Sequence, residues 1–196
     1  FEDRKNGIGY ESYANSELLN YRGNWKNDEY NGYGLLKFTN GNEYKGTFLN
    51  GNFHGTGIFK YENDDFFDGE WNEGEFSFGY GEETYDNEDK YKGKYKQGEL
   101  EGYGTMYYSN GDIYKGEWKK SKFNGNGMLC YNNGDIYKGY FKNGLRSGQA
   151  IYNFDNGDIY EGSYLEDRIE GYGILKLKNR NIYKGYFKNN KFHGRG

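Results

Sequence analysis

Rings and glycines alternate with polar residues along almost the whole chain, and the alternation has a period of two. From Tyr44 onward, Tyr44, Gly46 and Phe48 alternate with Lys45, Thr47 and Leu49. The same triplet returns as Tyr21/Gly23/Trp25, Tyr114/Gly116/Trp118 and Tyr183/Gly185/Phe187. Rings on one side and mostly polar groups on the other predict a half-buried β-strand. The central glycine has a packing reason: it leaves space for a ring of the adjacent strand to lie flat on the backbone. Glycine costs about 0.5–1 kcal/mol relative to alanine, so its recurrence needs such a reason.

A second strand is predicted from the Gly-x-Gly that follows each triplet. It runs through Gly55, Gly57, Phe59 and Tyr61, then again through Gly125, Gly127, Leu129 and Tyr131, and through Gly171, Gly173, Leu175 and Leu177. A loop with an apolar tip (Phe53, Leu100, Phe123, Ile169 or Phe192) joins the two strands. Asn-Gly then follows at Asn40-Gly41, Asn110-Gly111, Asn133-Gly134 and Asn156-Gly157. Both residue types tolerate positive φ, which predicts hairpin after hairpin. No 3.6-residue apolar period occurs, so no helix is predicted.

The two strands form a unit of 23 residues. Units start at Tyr21, Tyr44, Phe67, Tyr91, Tyr114, Tyr137, Tyr160 and Tyr183, and the single spacing of 24 lies between Phe67 and Tyr91. Residues 1–20 hold a partial repeat. A fixed period of this size predicts an array in which each unit covers its neighbour's apolar face. The expectation is an all-β, elongated, twisted, single-layer antiparallel sheet of stacked hairpins. It forms one continuous domain over residues 1–196, roughly 80 Å long at about 4.8 Å per strand. A start inside a partial repeat predicts further repeats ahead of Phe1. Three places depart from the period. Glu11 to Asn20 is about two residues too long. Phe78 stands where glycine is expected, with Gly79 and Gly81 shifted by one, which reads as a β-bulge. Ala150 replaces the second glycine of its unit.

Composition changes the picture of the core. Only 34% of residues are apolar, and 24 Tyr, 14 Phe and 3 Trp supply most of them, so rings must do the packing. The absence of Pro agrees with an uninterrupted ladder. Net charge is −4 with Lys and Glu interspersed, which gives no basic field for nucleic acid. The single cysteine allows no internal disulfide and fits a reducing compartment. No apolar run approaches 18 residues, and no signal peptide is visible.

Candidate chemistry is sparse. No glycine stretch fits a phosphate loop opening a helix. Asp64-Asp65 and Glu82-Glu83 read as solvated turns rather than an acid–base pair. No Ser-His-Asp or Cys-His arrangement occurs, so neither an enzyme nor a cofactor is expected. His54 and His193 share one repeat position. A zinc ion held by Cys130 of one chain and His193 of a second, antiparallel chain is the weak metal candidate. Two loop imidazoles and an unreactive thiol form the plainer reading. Lys45, Lys92, Lys115, Lys138 and Lys184 make a stripe on the polar face, interleaved with Glu70, Glu117 and Glu161. It reads as a solvated strand face, and less readily as a surface for anionic lipid.

The pattern aromatic-x-Gly-x-aromatic-x-x-Gly-x-x-x-Gly-x-Gly resembles the MORN (membrane occupation and recognition nexus) repeat. Tyr44, Gly46, Phe48, Gly51, Gly55 and Gly57 match every anchor, as do Tyr91, Gly93, Tyr95, Gly98, Gly102 and Gly104. Eight units match, and Gly7-Ile8-Gly9 resembles the tail of a ninth. The resemblance implies stacked hairpins. It also implies a non-catalytic scaffold of the kind found in parasite cytoskeleton and division structures. Richness in Asn, Lys and Tyr without Pro or Val is similar to proteins of AT-rich genomes. The chain thus looks like the C-terminal part of an apicomplexan all-MORN scaffold of the basal complex. Implied partners are cytoskeletal or division-complex proteins and a second copy in an antiparallel homodimer. That dimer would use the C-terminal repeats: Tyr160, Tyr164, Tyr183, Tyr186, Phe187 and Phe192. The implied location is cytoplasmic, at the cytoskeleton or an inner membrane. The alternative is a module that binds phospholipid or phosphoinositide.

Overall fold

The computed structural model describes residues 4–196, and among these every regular element is a strand. The order is β1 Gly7–Ser12, β2 Leu18–Lys26, β3 Glu29–Phe38, β4 Glu43–Leu49, β5 Asn52–Lys60, β6 Phe66–Asn72, β7 Glu75–Thr84 and β8 Lys90–Lys96. Then come β9 Glu99–Tyr107, β10 Ile113–Lys119, β11 Lys122–Cys130, β12 Ile136–Lys142, β13 Leu145–Asn153, β14 Ile159–Leu165, β15 Arg168–Lys176, β16 Ile182–Lys188 and β17 Lys191–His193. All seventeen belong to one antiparallel sheet of hairpins. The chain falls into two compact units. The first runs to Thr84 and takes in Lys94–Gly98; the second holds Tyr85–Gly93 and Glu99–Gly196.

In the first unit Tyr44 lies opposite Phe59, Gly46 opposite Gly57, and Phe48 opposite Phe53. The Tyr44 ring covers both glycines and is fully buried. It stacks on the tip residue Phe53 at 3.8 Å and meets Phe48 edge-on at 5.1 Å. Trp71 of the next hairpin closes the other side at 5.4 Å. Its hydroxyl donates to the Thr47 carbonyl at 3.1 Å, so the one polar atom of the ring is satisfied. Offset and edge-to-face rings of this kind replace the missing aliphatic core.

The second unit repeats the device. Tyr114 is fully buried, stacks on Phe123 at 3.6 Å, meets Trp118 edge-on at 5.1 Å, and donates to the Glu117 carbonyl at 2.8 Å. Gly116 and Gly127 face each other beneath it.

The two glycines of Gly-x-Gly do different things. The first, Gly55 or Gly125, is left-handed (φ 65° and 103°) and sits in a bulge between the paired glycines and the tip, where the register shifts. The second, Gly57 or Gly127, lies under the ring. A Cβ on Gly127 would stand 2.6 Å from the Tyr114 hydroxyl.

Two sequence expectations need correction. Asn40-Gly41 and Asn110-Gly111 close loops in which only the glycine has positive φ. The tight turns with both central residues at positive φ lie at the opposite hairpin end, as at Asn50-Gly51 and Asn143-Gly144. The hairpin β6–β7 does carry a register shift beside Phe78, but Phe78 itself pairs with Glu70 and the unpaired residue is Ser77. It lacks the left-handed glycine, and Gly79 pairs directly with Gly69. Its extra length falls at Glu83 and Thr84. Thr84 bonds the carboxylate of buried Asp65 through its N–H (2.8 Å) and its hydroxyl (3.0 Å).

Candidate binding faces

Because strand residues alternate, the sheet has a ring-filled face and an open face. On the open face of the second unit the register threads a row across the strands. Lys115 lies opposite Met128, Met128 opposite Lys138, Lys138 opposite Ile151, Ile151 opposite Glu161, and Glu161 opposite Ile174. Beside this row stand Tyr103 and Tyr172, both more than half exposed. Together they line a groove of about 950 Å³.

The charges of the groove are unequal. Glu161 is held by the Lys176 ammonium at 2.7 Å, and Glu117 accepts the Asn126 backbone N–H at 2.9 Å. Among the described residues, no carboxylate lies within ion-pair distance of Lys115 or Lys138. The groove can therefore do one thing chemically: offer apolar side chains and uncompensated positive charge to a surface laid across it.

Along one sheet edge, aspartate carboxylates tie each hairpin loop to the next. Asp89, Asp112, Asp135 and Asp158 accept the backbone N–H of Ser109, Asn132, Asp155 and Lys178 at 2.7–2.8 Å. The Ser109 N–H holds the Asp89 carboxyl below its ordinary range, and the Asp155 N–H does the same for Asp135. On the ring face, burial pushes Tyr44 and Tyr160 up to about 12.

The residues expected to meet a second chain divide sharply. Tyr160, Tyr164 and Phe187 are buried in the chain's own core, and Tyr183 is half-buried. Tyr186 and Phe192 remain exposed, at 54% and 60%. Cys130 lies on the open face between Ile113 and Ile136, and His193 lies opposite Tyr186 on that same face. Six strand spacings separate them, about 29 Å at about 4.8 Å each, so one chain cannot bring them together. Among the described residues no three His, Cys, Asp or Glu side chains gather as a metal site.

One residue escaped the sequence reading. Arg146 occupies the tip position of its hairpin and lies over Tyr164 (5.2 Å), Tyr137 (5.8 Å) and Tyr152 (6.0 Å). Its Nε donates to Asp167 at 2.9 Å. The signal was available: a 23-residue step from Phe123 lands on Arg146.

Comparison with known proteins fits this geometry. The profile of the MORN repeat matches residues 21–43, 44–66, 91–113, 114–136, 137–159, 160–182 and 183–196. It passes over 67–90, the hairpin without the left-handed glycine. No curated protein sequence matches the chain. Similar solved structures include the SAS-4 (dCPAP) TCP domain of Drosophila melanogaster in complex with a proline-rich motif of Ana2 (dSTIL). It has a TM-score of 0.43 and 15% identity, over 79% of this chain and 84% of that one. The TCP10 domain of Danio rerio CPAP with a peptide of Danio rerio STIL gives 0.41 and 11%, over 91% and 84%. The same domain alone gives 0.43 and 10%, over 95% and 91%. Seven matched units, all but one with a tyrosine over paired glycines and the other with Tyr137 over Gly139 and Ala150, place this chain in the MORN-repeat family.

Proposed function

We propose that this chain is a non-catalytic scaffold segment whose working surface is the open face of its sheet. The observation that carries this is the groove of the second unit. There Tyr103 and Tyr172 are more than half exposed and stand beside Met128, Ile151 and Ile174, so rings and aliphatic side chains line one groove on the face that the core does not use. Apolar surface left exposed beside polar rims marks a place where another macromolecule docks. The reading extends to protein assemblies in the cytoplasm, at the cytoskeleton or an inner membrane, and to the division structures of apicomplexan cells. It includes an antiparallel homodimer through the C-terminal repeats, for which Tyr186 and Phe192 supply the exposed rings.

Light scattering on the chain and on a Tyr186→Ser/Phe192→Ser variant tests the self-association. A dimer mass that falls to monomer in the variant supports it; a wild-type monomer removes it. Pull-down from a cell extract with wild-type chain and with Tyr103→Ser/Tyr172→Ser tests the open face. Partners retained equally by both would remove the groove as the working surface.

A phospholipid surface is the second reading, favoured by unpaired Lys115 and Lys138 beside Met128 and Ile151. Sedimentation with phosphoinositide vesicles at physiological salt decides it. Binding that vanishes there is bulk charge attraction.

A further inference from the structure

The hairpin β6–β7 differs from its neighbours on the open face as well. One residue after the repeat tyrosine, most other hairpins carry a cation (Arg22, Lys45, Lys92, Lys115, Lys138 and Lys184) and one carries Glu161, which Lys176 pairs; here the position is Asp68. Two residues on, Glu70 shares that face. Asp68 lies directly opposite Tyr80, and Glu70 directly opposite Phe78. Both rings are exposed, at 38% and 47%. Phe66 flanks Tyr80 at 6.2 Å with planes tilted by 36°. The result is two carboxylates, each beside an aromatic ring that faces solvent.

The fold leaves these carboxylates without a cation. Lys60, the nearest lysine on β5, is tied to Asp64 at 2.8 Å. Among the described residues neither Asp68 nor Glu70 takes part in a hydrogen bond or ion pair. Like charges two residues apart on one strand face repel. A guanidinium fits what is missing. It bonds a carboxylate through its planar fork and stacks on an aromatic ring at the same time.

We propose that this hairpin is a docking patch for an extended basic segment carrying Arg-x-Arg. The spacing selects the occupant. Same-face residues on a strand stand about 6.7 Å apart, which separates Asp68 from Glu70 and Tyr80 from Phe78. An extended peptide repeats its same-face side chains at the same interval. One arginine therefore lies on Tyr80 with its fork on Asp68. The next but one lies on Phe78 with its fork on Glu70. The site is separate from the groove of the second unit and does not depend on that groove's role.

The test is fluorescence anisotropy at physiological salt with a fluorescein-labelled Arg-Thr-Arg peptide in Gly-Ser flanks. A Lys-Thr-Lys peptide of the same length is the control. Two variants borrow residues that other hairpins already hold at these positions. Asp68→Lys/Glu70→Thr follows Lys45 and Thr47, and Phe78→Thr/Tyr80→Ile follows Thr56 and Ile58. Unchanged circular dichroism checks that both fold. The arginine peptide is expected to bind about tenfold more tightly than the lysine peptide, because only the guanidinium stacks and forks. Binding is expected to be lost in the charge variant and about tenfold weaker in the ring variant. Equal binding of the two peptides, retention by the charge variant, or no binding at millimolar peptide would each overturn the proposal.

Discussion

Trp71 donates its indole N–H to the carbonyl of Gly57, 2.9 Å away in the preceding hairpin. Trp118 does the same to Gly104 at 3.2 Å in the second unit. The ring that closes one hairpin is thus bonded to the glycine that another hairpin's tyrosine covers. Packing and hydrogen bonding pass through the same two residues, so neighbouring hairpins depend on each other.

Replacing Trp71 by Phe keeps a ring that other hairpins hold at this position, as Phe48 and Phe141 do, but removes the donor. The expected loss is about 1–2 kcal/mol, one net hydrogen bond and a little volume. Trp71→Ala should cost about 3–5 kcal/mol. Urea unfolding followed by tyrosine fluorescence measures both. A Trp71→Phe chain as stable as wild type would show that the indole bond contributes nothing net.

Gly127→Ala should destabilise by about 1–3 kcal/mol, since its Cβ would stand 2.6 Å from the Tyr114 hydroxyl while Phe123 holds that ring flat from above. The chain contains its own exception. Ala150 takes the equivalent place beneath Tyr137, opposite Gly139. The tip residue there is Arg146, which does not clamp the ring. Tyr137 meets Phe141 at 69°, whereas Tyr114 meets Trp118 at 88°. Arg146→Phe alone should therefore destabilise, and Arg146→Phe with Ala150→Gly should recover part of the loss. A coupling near about 1 kcal/mol in the double-mutant cycle is expected. Strict additivity would show that the tip residue and the methyl group do not compete.

Much of this was legible because the repeat isolates its variables. The triplet Tyr44/Gly46/Phe48 announced the strand, its ring-filled face and the need for glycine. What the sequence hid was the division of labour between glycines. Gly55 and Gly57 look alike in a pattern, and only φ and the position of the Tyr44 ring separate them. The reading of a bulge at Phe78 missed by one residue, to Ser77, for the same reason. Counting glycines cannot tell a missing left-handed residue from an inserted one. The candidate dimer residues were chosen as rings near one end, but Tyr160, Tyr164 and Phe187 are rings the core consumes. Alternation gives the face of a ring and does not give its exposure. Arg146 was missed because a cation was not sought at an apolar tip.

Acid should loosen the ladder of aspartate-to-backbone bonds that joins the hairpin loops. The Asp135 carboxyl is lowered chiefly by the Asp155 N–H; burial opposes this, and the Tyr152 hydroxyl and the Asn133 amide add to it. A depressed carboxyl stabilises the fold above its unfolded value of about 3.9 and loses that contribution as pH falls through the folded value. Unfolding midpoints in urea should therefore stay flat from neutral pH to about pH 5 and decline below about pH 4. Asp135→Asn should be less stable at neutral pH, and its deficit should shrink in acid. A deficit that is constant with pH would mean that the carboxylate's charge is immaterial to the turn.

Base attacks the other side of the sheet. Burial pushes Tyr21, Tyr44 and Tyr160 up to about 12, because a phenolate in the ring-filled core would lose its hydration. Unfolded tyrosine ionises near about 10. A group whose folded value is raised gives its full stabilisation below the unfolded value and loses it as pH rises through the folded one. The chain should hold its sheet to about pH 10 and lose it toward about pH 12. Tyrosinate absorbance and the β-sheet circular dichroism signal, recorded in one titration, read this directly. The last part of the absorbance rise should coincide with loss of the sheet signal and should be slow on the mixing timescale, because these rings ionise only after a hairpin opens. Complete and immediate tyrosinate formation with the sheet signal intact would show that solvent reaches the rings in the folded chain, and the tyrosine-over-glycine core would then be more loosely closed than described.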